Sequence, residues 1–331
     1  MRAVVLPAIN KDLTIQTIDS PVLKSGEAKI RLKAAAWNKR DHWISKGKYP
    51  GIQTPAILGS DGCGIVTECP DAPEWIGTEV VLCPSLNWGD NPAHQAMNYT
   101  ILGMPTQGTA ATEICIPISN LVKKPTHLSC VEASAIPLAG LTAWRAVSTK
   151  AQVKENEKVL VTGIGGGTAV WALQFAIAMG TDVFVTSSSS TKIERAIELG
   201  AKGGVLYTDE DWDKQLQRLN PRGFDAIIDS AGGDGFGTLI RLLGMGGRLA
   251  FFGGTAGKWP ALLPQYMFFK QISILATTMG TPDEFREMIQ FIDTHKIVSV
   301  VDSTFDMESA QASIERMSHP DRFGKVTLSI S

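Results

Sequence analysis

One stretch decides the fold of this chain: Lys158-Val-Leu-Val-Thr-Gly163-Ile-Gly165-Gly166-Gly167-Thr168-Ala169. A short β-branched run leads into a glycine cluster, and the apolar run that follows, to Met179, is typical of a helix. Glycines let a ligand approach the backbone closely, and the start of a helix offers unpaired N–H groups and a positive dipole end to a diphosphate. The stretch therefore predicts a dinucleotide-binding βαβ unit. The expected contact residues are Gly163, Gly165, Gly166, Gly167 and Thr168.

The glycine spacing is looser than the usual fingerprint, G-x-G-x-x-G/A. The pattern that fits is Gly163-x-x-Gly166-x-x-Ala169. The surroundings strengthen the prediction, because short apolar runs alternate with helical patterns, as in a parallel sheet covered on both faces. Those runs are 181–186, 204–206, 224–229 and 247–253, with a candidate edge strand at 273–277. A glycine-rich turn without a ligand is the alternative.

A second nucleotide signal follows the second apolar run, at Thr186-Ser-Ser-Ser-Ser-Thr-Lys192. An NAD enzyme usually places an acid about 20 residues beyond the glycines, to bind the ribose 2′-hydroxyl. Here no carboxylate repels a 2′-phosphate, and Ser187, Ser188 and Lys192 offer hydroxyls and an ammonium to bind it. The segment favours NADPH over NADH. Alternatively, the serines only populate a loop and Lys192 lies on a helix surface.

The composition is that of an ordinary globular protein. The chain has 331 residues, 44% of them hydrophobic and 19% charged, with a net charge of −2. This length suits two domains, and the charge argues against a nucleic-acid or anionic-membrane partner. Without a signal-peptide core or an apolar run of about 18 residues, a cytoplasmic protein is expected. Five cysteines without a C-x-x-C pair argue against a disulfide framework or a four-cysteine zinc site.

The first 126 residues differ in their residue pattern from the middle of the chain. Strand-like runs broken by Pro and Gly predict a mostly β domain of barrel type, with a long irregular loop at 85–108. Capping boxes predict helix starts at Ser129–Glu132, Thr191–Glu194 and Thr281–Glu284. A strand at 325–330 is expected to return to the β domain.

Several motifs occur in order along the chain. They are Asn38-Lys-Arg-Asp41 with Lys46-Gly-Lys-Tyr-Pro50, Leu58-Gly-Ser-Asp-Gly-Cys-Gly64, Pro137-Leu-Ala-Gly-Leu-Thr142-Ala-Trp144, the glycine stretch and Arg322-Phe-Gly-Lys325-Val-Thr-Leu. This set resembles the medium-chain dehydrogenase/reductase family, in particular its quinone-oxidoreductase-like branch and proteins labelled zinc-type alcohol-dehydrogenase-like. The resemblance implies an α/β fold, with a GroES-like, mostly β catalytic domain over 1–126, completed by 296–331, and a doubly wound Rossmann NADP-binding domain over 127–295.

The same resemblance bears on the metal. Zinc-dependent relatives bind catalytic zinc through two cysteines and a histidine, and the matching positions here are Asn38, Ser60 and Leu138. An amide, a hydroxyl and an alkyl chain do not form a Cys/His zinc site, so no metal is predicted. Asp61, where the family has an acid, is expected to bind backbone amides.

The resemblance also nominates site residues. Further cofactor contacts are implied for Thr142, Tyr207, Phe252, Gly253, Met279 and Lys325. Candidate catalytic donors to a developing oxyanion are the Asn38 amide and the Tyr49 phenol. The alternatives are a local backbone contact for Asn38, surface packing for Tyr49 and a buried strand-end position for Tyr207.

These expectations lead to an NADPH-dependent, zinc-independent oxidoreductase that transfers a hydride to a quinone or an α,β-unsaturated carbonyl acceptor. The alternatives are an alcohol, aldehyde or enoyl-thioester reductase of the same family, or a non-catalytic NADPH-binding protein. The expected partners are a small electrophilic acceptor and a second copy of the chain, as a homodimer or a dimer of dimers paired through edge strands.

Overall fold

A computed structural model describes all 331 residues. The strands are β1 (Arg2–Leu6), β2 (Thr14–Thr17), β3 (Glu27–Ala36), β4 (Ala56–Ile57), β5 (Asp61–Glu68), β6 (Glu79–Leu82), β7 (Ser85–Leu86), β8 (Thr100–Ile101), β9 (Glu113–Pro117), β10 (Leu121–Lys123), β11 (Lys158–Val161), β12 (Asp182–Ser187), β13 (Gly203–Leu206), β14 (Phe224–Asp229), β15 (Leu243–Phe251), β16 (Ser273–Ala276), β17 (Val301–Asp306) and β18 (Lys325–Ser329). The helices are α1 (Lys39–Ser45), α2 (Cys130–Ser134), α3 (Pro137–Trp144), α4 (Gly167–Ala178), α5 (Ser190–Glu198), α6 (Trp212–Leu219), α7 (Phe236–Leu242), α8 (Pro264–Lys270), α9 (Pro282–His295) and α10 (Ala310–Arg316), with a π-helical turn at Arg145–Lys150.

The first compact unit comprises Met1–Leu141 and Gly280–Ser331. Its main sheet has the order β10-β6-β5-β3-β18-β17, with β9 also paired to β3, and a second sheet has the order β2-β1-β4. The C-terminal strand β18 pairs antiparallel with β3, so it returns to the β domain as predicted. Alternate residues of the strands, such as Ile30 and Leu32, point into a shared apolar core.

The second compact unit, Thr142–Met279, contains a six-stranded parallel sheet in the order β13-β12-β11-β14-β15-β16. The chain moves outward from β11 to β13 and then returns to build β14 to β16 on the other side. This is the predicted doubly wound arrangement, and the order reverses between β11 and β14, where ligands bind in such sheets. The predicted α/β fold class is confirmed.

The unit boundaries fall at 141/142 and 279/280, whereas the sequence placed the domain boundaries at 126/127 and 295/296. The intervening helices contact the first unit: the Ser134 hydroxyl donates to the Ala35 carbonyl, and the Arg286 guanidinium donates to the Ser119 carbonyl. An amphipathic pattern shows that a helix covers a core but not which core it covers, so the sequence could not assign these two helices.

Two of the three predicted capping boxes are confirmed. Ser129 Oγ and Thr281 Oγ1 accept from the N–H groups of Glu132 and Glu284, at 3.2 and 3.0 Å. The box at Thr191–Glu194 is wrong, because α5 already begins at Ser190 with Ser189 as its N-cap. Consecutive hydroxyl residues are equally good candidates for the cap, and sequence alone does not choose among them.

The segment at 85–108, predicted as an irregular loop, contains the short antiparallel pair β7 and β8. Trp88 and Tyr99 pack edge to face there, with ring centroids 5.4 Å apart. Elsewhere, no helix of the structure has both the length and the apolar character needed to cross a membrane.

Candidate functional site

The glycine turn between β11 and α4 forms a cradle. Gly163 and Gly165 have φ values of 62° and 116°, which glycine adopts without steric cost. A Cβ atom added at Gly163 or Gly166 would have one neighbour each within 4 Å, at 3.8 and 4.0 Å. These two positions therefore face open space. Gly167 and Thr168 form the first turn of the 12-residue α4, where backbone N–H groups lack helical partners.

Lys192 lies across this turn. A Cβ on Gly165 would lie 2.8 Å from Cδ and 3.2 Å from Nζ of Lys192, so the lysine side chain covers Gly165 and brings an ammonium beside the cradle. Ser188 is exposed, whereas Ser187 is buried and its Oγ accepts from the Ser189 N–H at 3.2 Å. Of the three predicted phosphate ligands, Ser188 is therefore exposed, Lys192 is partly exposed and Ser187 is buried.

A cavity of about 530 Å³ lies at the carboxyl ends of the parallel strands. Its lining includes Gly163, Thr186, Tyr207 and Asp229, one from each of four neighbouring strand ends. Asp229 is 1% exposed, and its carboxylate accepts from Thr162 Oγ1 at 2.6 Å and from the Gly232 N–H at 2.8 Å. It thereby joins two loops of the cavity. Tyr207, 47% exposed, offers a ring face to a ligand.

The remaining predicted cofactor residues of the second unit lie at two places. Phe252 and Gly253 follow β15, and a Cβ on Gly253 would lie 2.3 Å from the Ser230 carbonyl oxygen, so only glycine fits there. Thr142 and Met279 meet each other, because the Thr142 hydroxyl donates to the Met279 sulfur at 3.7 Å. Met279 has a positive φ of 44°, which is uncommon outside glycine.

In the first unit, a buried polar cluster contains Asn38, Asp61 and Lys325. Asp61 is 0% exposed and accepts from Lys325 Nζ at 2.7 Å, from Asn38 Nδ2 at 2.9 Å and from the Leu138 N–H at 2.7 Å. Lys325 also donates to Asn38 Oδ1 at 2.6 Å and to the Trp37 carbonyl at 2.7 Å. The expected amide contact of Asp61 is present.

This cluster fixes the orientation of the Asn38 amide, because a lysine only donates and a carboxylate only accepts. One hydrogen of Asn38 Nδ2 is left for another acceptor. All three hydrogens of the Lys325 ammonium are already donated to protein atoms. Lys325 therefore lies with Asn38 in the buried polar cluster of the first unit.

Arg40 and Tyr49 form the second part of this polar region. The buried Arg40 Nη1 donates to Ser60 Oγ at 2.7 Å and to the Leu102 carbonyl at 3.0 Å. Its guanidinium carbon lies 5.1 Å from the centroid of the Tyr49 ring, within the range of a cation–π contact. Sequence reasoning missed Arg40, although it stands inside the quoted Asn38–Asp41 motif.

Asp41 supports the same region from α1. Its carboxylate accepts from the Asn38 N–H at 2.8 Å and from the Gly59 N–H at 3.1 Å. Burial raises the pKa of the Asp41 carboxyl, while Arg40 and the two N–H donors act in the opposite direction. Asp41 therefore links the start of α1 to the Gly59 turn.

The three positions that match the zinc ligands of relatives do not fit a zinc ion. The Asn38 amide oxygen faces the Lys325 ammonium, the Ser60 hydroxyl faces the Arg40 guanidinium, and Leu138 has no donor atom in its side chain. Two fixed cations repel a third, and the set lacks thiolate and imidazole ligands. No group of three or more His, Cys, Asp and Glu side chains in the structure is arranged to hold a metal ion.

Comparisons with known proteins agree with this architecture. The alcohol dehydrogenase GroES-like domain family matches residues 24–126, and the zinc-binding dehydrogenase family matches residues 167–294. A zinc-type alcohol dehydrogenase-like protein of Leptosphaeria maculans is 36% identical over 342 aligned residues, covering 96% of this chain and 94% of its own. Acryloyl-coenzyme A reductase of Metallosphaera sedula is 26% identical, with 99% of each chain covered.

A crystal structure of an NAD-dependent alcohol dehydrogenase superposes on the whole chain with a TM-score of 0.92 and 35% identity, and all of that chain is covered as well. Fold, domain order and sequence identity along the full length point to one group of nicotinamide-dependent oxidoreductases. The chain belongs to the medium-chain dehydrogenase/reductase family.

Proposed function

We propose that this chain is an NADPH-dependent, zinc-independent oxidoreductase whose acceptor is a quinone or an α,β-unsaturated carbonyl compound. The observation that carries the proposal is the replacement of zinc ligands by Asn38 and Ser60, which contact Lys325 and Arg40. An isolated carbonyl needs a Lewis acid to accept a hydride, whereas a conjugated acceptor is already electrophilic. It needs only hydrogen-bond donors at the oxygen that becomes negative.

The bound coenzyme supplies the hydride. Its diphosphate fits the Gly163–Gly166 cradle, and Lys192 and Ser188 are the groups that would bind a 2′-phosphate. The carboxyl end of β12 carries no carboxylate that would repel this phosphate. The polar region of the first unit that contains Asn38, Arg40, Tyr49, Asp61 and Lys325 is called the acceptor region. In it, the second Nδ2 hydrogen of Asn38 and the Tyr49 hydroxyl are the donors for the acceptor oxygen.

The test is coenzyme oxidation by the purified protein with 1,4-benzoquinone, methyl vinyl ketone and acetaldehyde, each with NADPH and NADH. We expect saturable turnover of the first two acceptors and a preference for NADPH. Lys192→Gln should raise the KM for NADPH roughly tenfold and leave that for NADH unchanged, because only the 2′-phosphate loses a partner. Lys202→Gln, an exposed lysine of the same unit, is the matched control.

Three results would contradict parts of the proposal. Turnover of acetaldehyde alone, abolished by a chelator, would indicate a metal-dependent alcohol dehydrogenase. Tight NADPH binding without turnover of any acceptor would indicate a non-catalytic nucleotide-binding protein. Equal affinity for NADH and NADPH would refute the assignment of the phosphate site to Lys192 and Ser188.

An enoyl-thioester reductase is the second candidate, and the similarity to acryloyl-coenzyme A reductases along 99% of the chain favours it. The acceptor would again be a conjugated carbonyl, here a thioester. Acryloyl-coenzyme A in the same assay distinguishes the candidates: a kcat/KM at least about 100-fold above that for methyl vinyl ketone would assign the thioester as the acceptor class.

We propose in addition that the protein is a cytoplasmic homodimer. The five free cysteines suit a reducing compartment. In the second unit, β16 is an edge strand whose free side can pair with a second copy. Near it in sequence, Leu263, Phe268 and Phe269 are 57–69% exposed, an apolar group that a second copy would cover.

A further inference from the structure

Arg40 is a buried cation whose hydrogen bonds all go to uncharged acceptors. It is 8% exposed, and its acceptors are the Ser60 hydroxyl, the Leu102 and Met104 carbonyls and, at 3.5 Å, the Tyr49 phenol. None of these is a carboxylate. The nearby Asp41 carboxylate interacts with Arg40 electrostatically but accepts its hydrogen bonds from the Asn38 and Gly59 N–H groups, so no anion neutralises Arg40 by direct contact. Burial of such a charge is costly, so a chain keeps it where the charge has a use.

The donors of Arg40 explain how Tyr49 is held. Both Nη1 hydrogens are donated to Ser60 and Leu102, and one Nη2 hydrogen is donated to Met104 at 3.3 Å, so three acceptors fix the orientation of the guanidinium. The same guanidinium faces the Tyr49 ring at 5.1 Å and directs Nε toward its hydroxyl oxygen. The hydrogen-bonded guanidinium of Arg40 thereby holds the Tyr49 ring in place.

The direction of the Tyr49 hydroxyl hydrogen follows from this contact. Arginine only donates, so the phenol oxygen is the acceptor on the Arg40 side and its own hydrogen must point elsewhere. No protein atom accepts that hydrogen. It is available to an acceptor molecule, with a positive charge directly behind it.

We infer that Arg40 is a positioning residue that orients the Tyr49 hydroxyl toward the carbonyl oxygen of a conjugated acceptor and stabilises the negative charge that develops there. This inference rests on the proposed function. Tyr49 donates a hydrogen bond and keeps its own proton, so the enolate left by hydride transfer takes its proton from water. Arg40 acts through Tyr49, and the Ser60 hydroxyl that replaces a zinc ligand serves to hold Arg40.

A double-mutant cycle tests this coupling, with methyl vinyl ketone as the acceptor and NADPH saturating. Tyr49→Phe should lower kcat roughly 30-fold with little change in KM, because the hydrogen bond is strongest to the developing enolate oxygen. Arg40→Gln should lower kcat roughly tenfold in the wild-type background but less than about twofold in the Tyr49→Phe background. Arg40→Lys, which keeps a charge, should recover part of the loss.

The control and the contrary results are equally defined. Arg31→Gln, an exposed arginine on β3, should leave kcat unchanged. Equal losses from Arg40→Gln in both backgrounds would overturn the inference, because Arg40 would then act independently of Tyr49. If Arg40→Gln fails to fold, Ser60→Ala replaces it: a roughly threefold loss that vanishes with Tyr49→Phe supports the inference, and a loss that persists overturns it. A wild-type protein that reduces no conjugated acceptor defeats the proposed function itself.

Discussion

Replacing Lys325 by methionine should destabilise the first unit far more than an ordinary lysine replacement does. Methionine keeps most of the buried alkyl chain, so the loss is confined to the ammonium and its three hydrogen bonds, to Trp37, Asn38 and Asp61. Asp61, 0% exposed, would keep two neutral donors and lose its only cationic partner. Breaking a buried ion pair from one side costs about 3–5 kcal/mol, and we expect a loss of this size.

The matched control is Lys29→Met on β3. Lys29 pairs with Glu68 at 2.8 Å, but the Glu68 side chain is 53% exposed, so this pair should contribute no more than about 1 kcal/mol. Adding Asp61→Asn to Lys325→Met removes the stranded charge as well and should recover at least about 1 kcal/mol.

Urea unfolding with hydrogen exchange of the β5 and β18 amides measures the free energy of unfolding of the unit that contains the pair, since the two units need not unfold together. If Lys325→Met were as stable as Lys29→Met, the ion pair could not be what maintains the acceptor region. If the double variant were less stable than Lys325→Met, the reasoning from an unpaired charge would be refuted.

Three further predictions concern other parts of the chain. Gly166→Val and the control Gly203→Val should both fold, but only Gly166→Val should lower NADPH affinity at least about tenfold, because its side chain would fill the cradle. Unchanged affinity of Gly166→Val measured by calorimetry would contradict the cradle. Ala276→Lys, on the exposed side of β16, should convert a dimer to a monomer in analytical ultracentrifugation, and a dimeric variant would place the interface elsewhere. Burial raises the pKa of Asp302, but the hydrogen bonds from Arg316, the Phe323 N–H and the Ser303 hydroxyl together outweigh this and hold the pKa below its ordinary value. The stabilisation is present at neutral pH and lost as the pH falls through that lowered pKa, so Asp302→Asn should cost about 1–3 kcal/mol at pH 7 and progressively less below about pH 4; a pH-independent difference in urea unfolding would disprove it.

The sequence predicted the parts of the fold that depend on local patterns. The parallel strands, the glycine turn and the caps at Ser129 and Thr281 are each determined by residues within one element, and the structure confirms them. The cap of α5 was misplaced because neighbouring hydroxyls compete for one role. The unit boundaries differ because a helix pattern does not identify the core that the helix covers.

The acceptor region was harder to predict because its contacts join distant parts of the chain. Asp61 and Lys325 are 264 positions apart, and no periodicity links them. The motif around Asn38 was found, but the role of Arg40 within it was not. A side chain inside a motif gives no sign of what lies opposite it, and the acceptors of Arg40 lie 9 to 64 positions away.

The two cations of this region do not have the same electrostatic environment. The charge of Lys325 is neutralised by the carboxylate of Asp61 in direct contact, whereas Arg40 donates hydrogen bonds only to neutral oxygens and interacts with the Asp41 carboxylate without a hydrogen bond. A guanidinium that acts through the Tyr49 hydroxyl polarises a carbonyl less strongly than a metal ion does, because it does not contact the carbonyl oxygen directly. Its charge is strong enough to stabilise the negative charge on an enolate oxygen, which conjugation already delocalises. In the proposed reaction, this limited electrostatic strength is itself a source of specificity: it supports reduction of a quinone or an enone and leaves an isolated aldehyde without the assistance it needs.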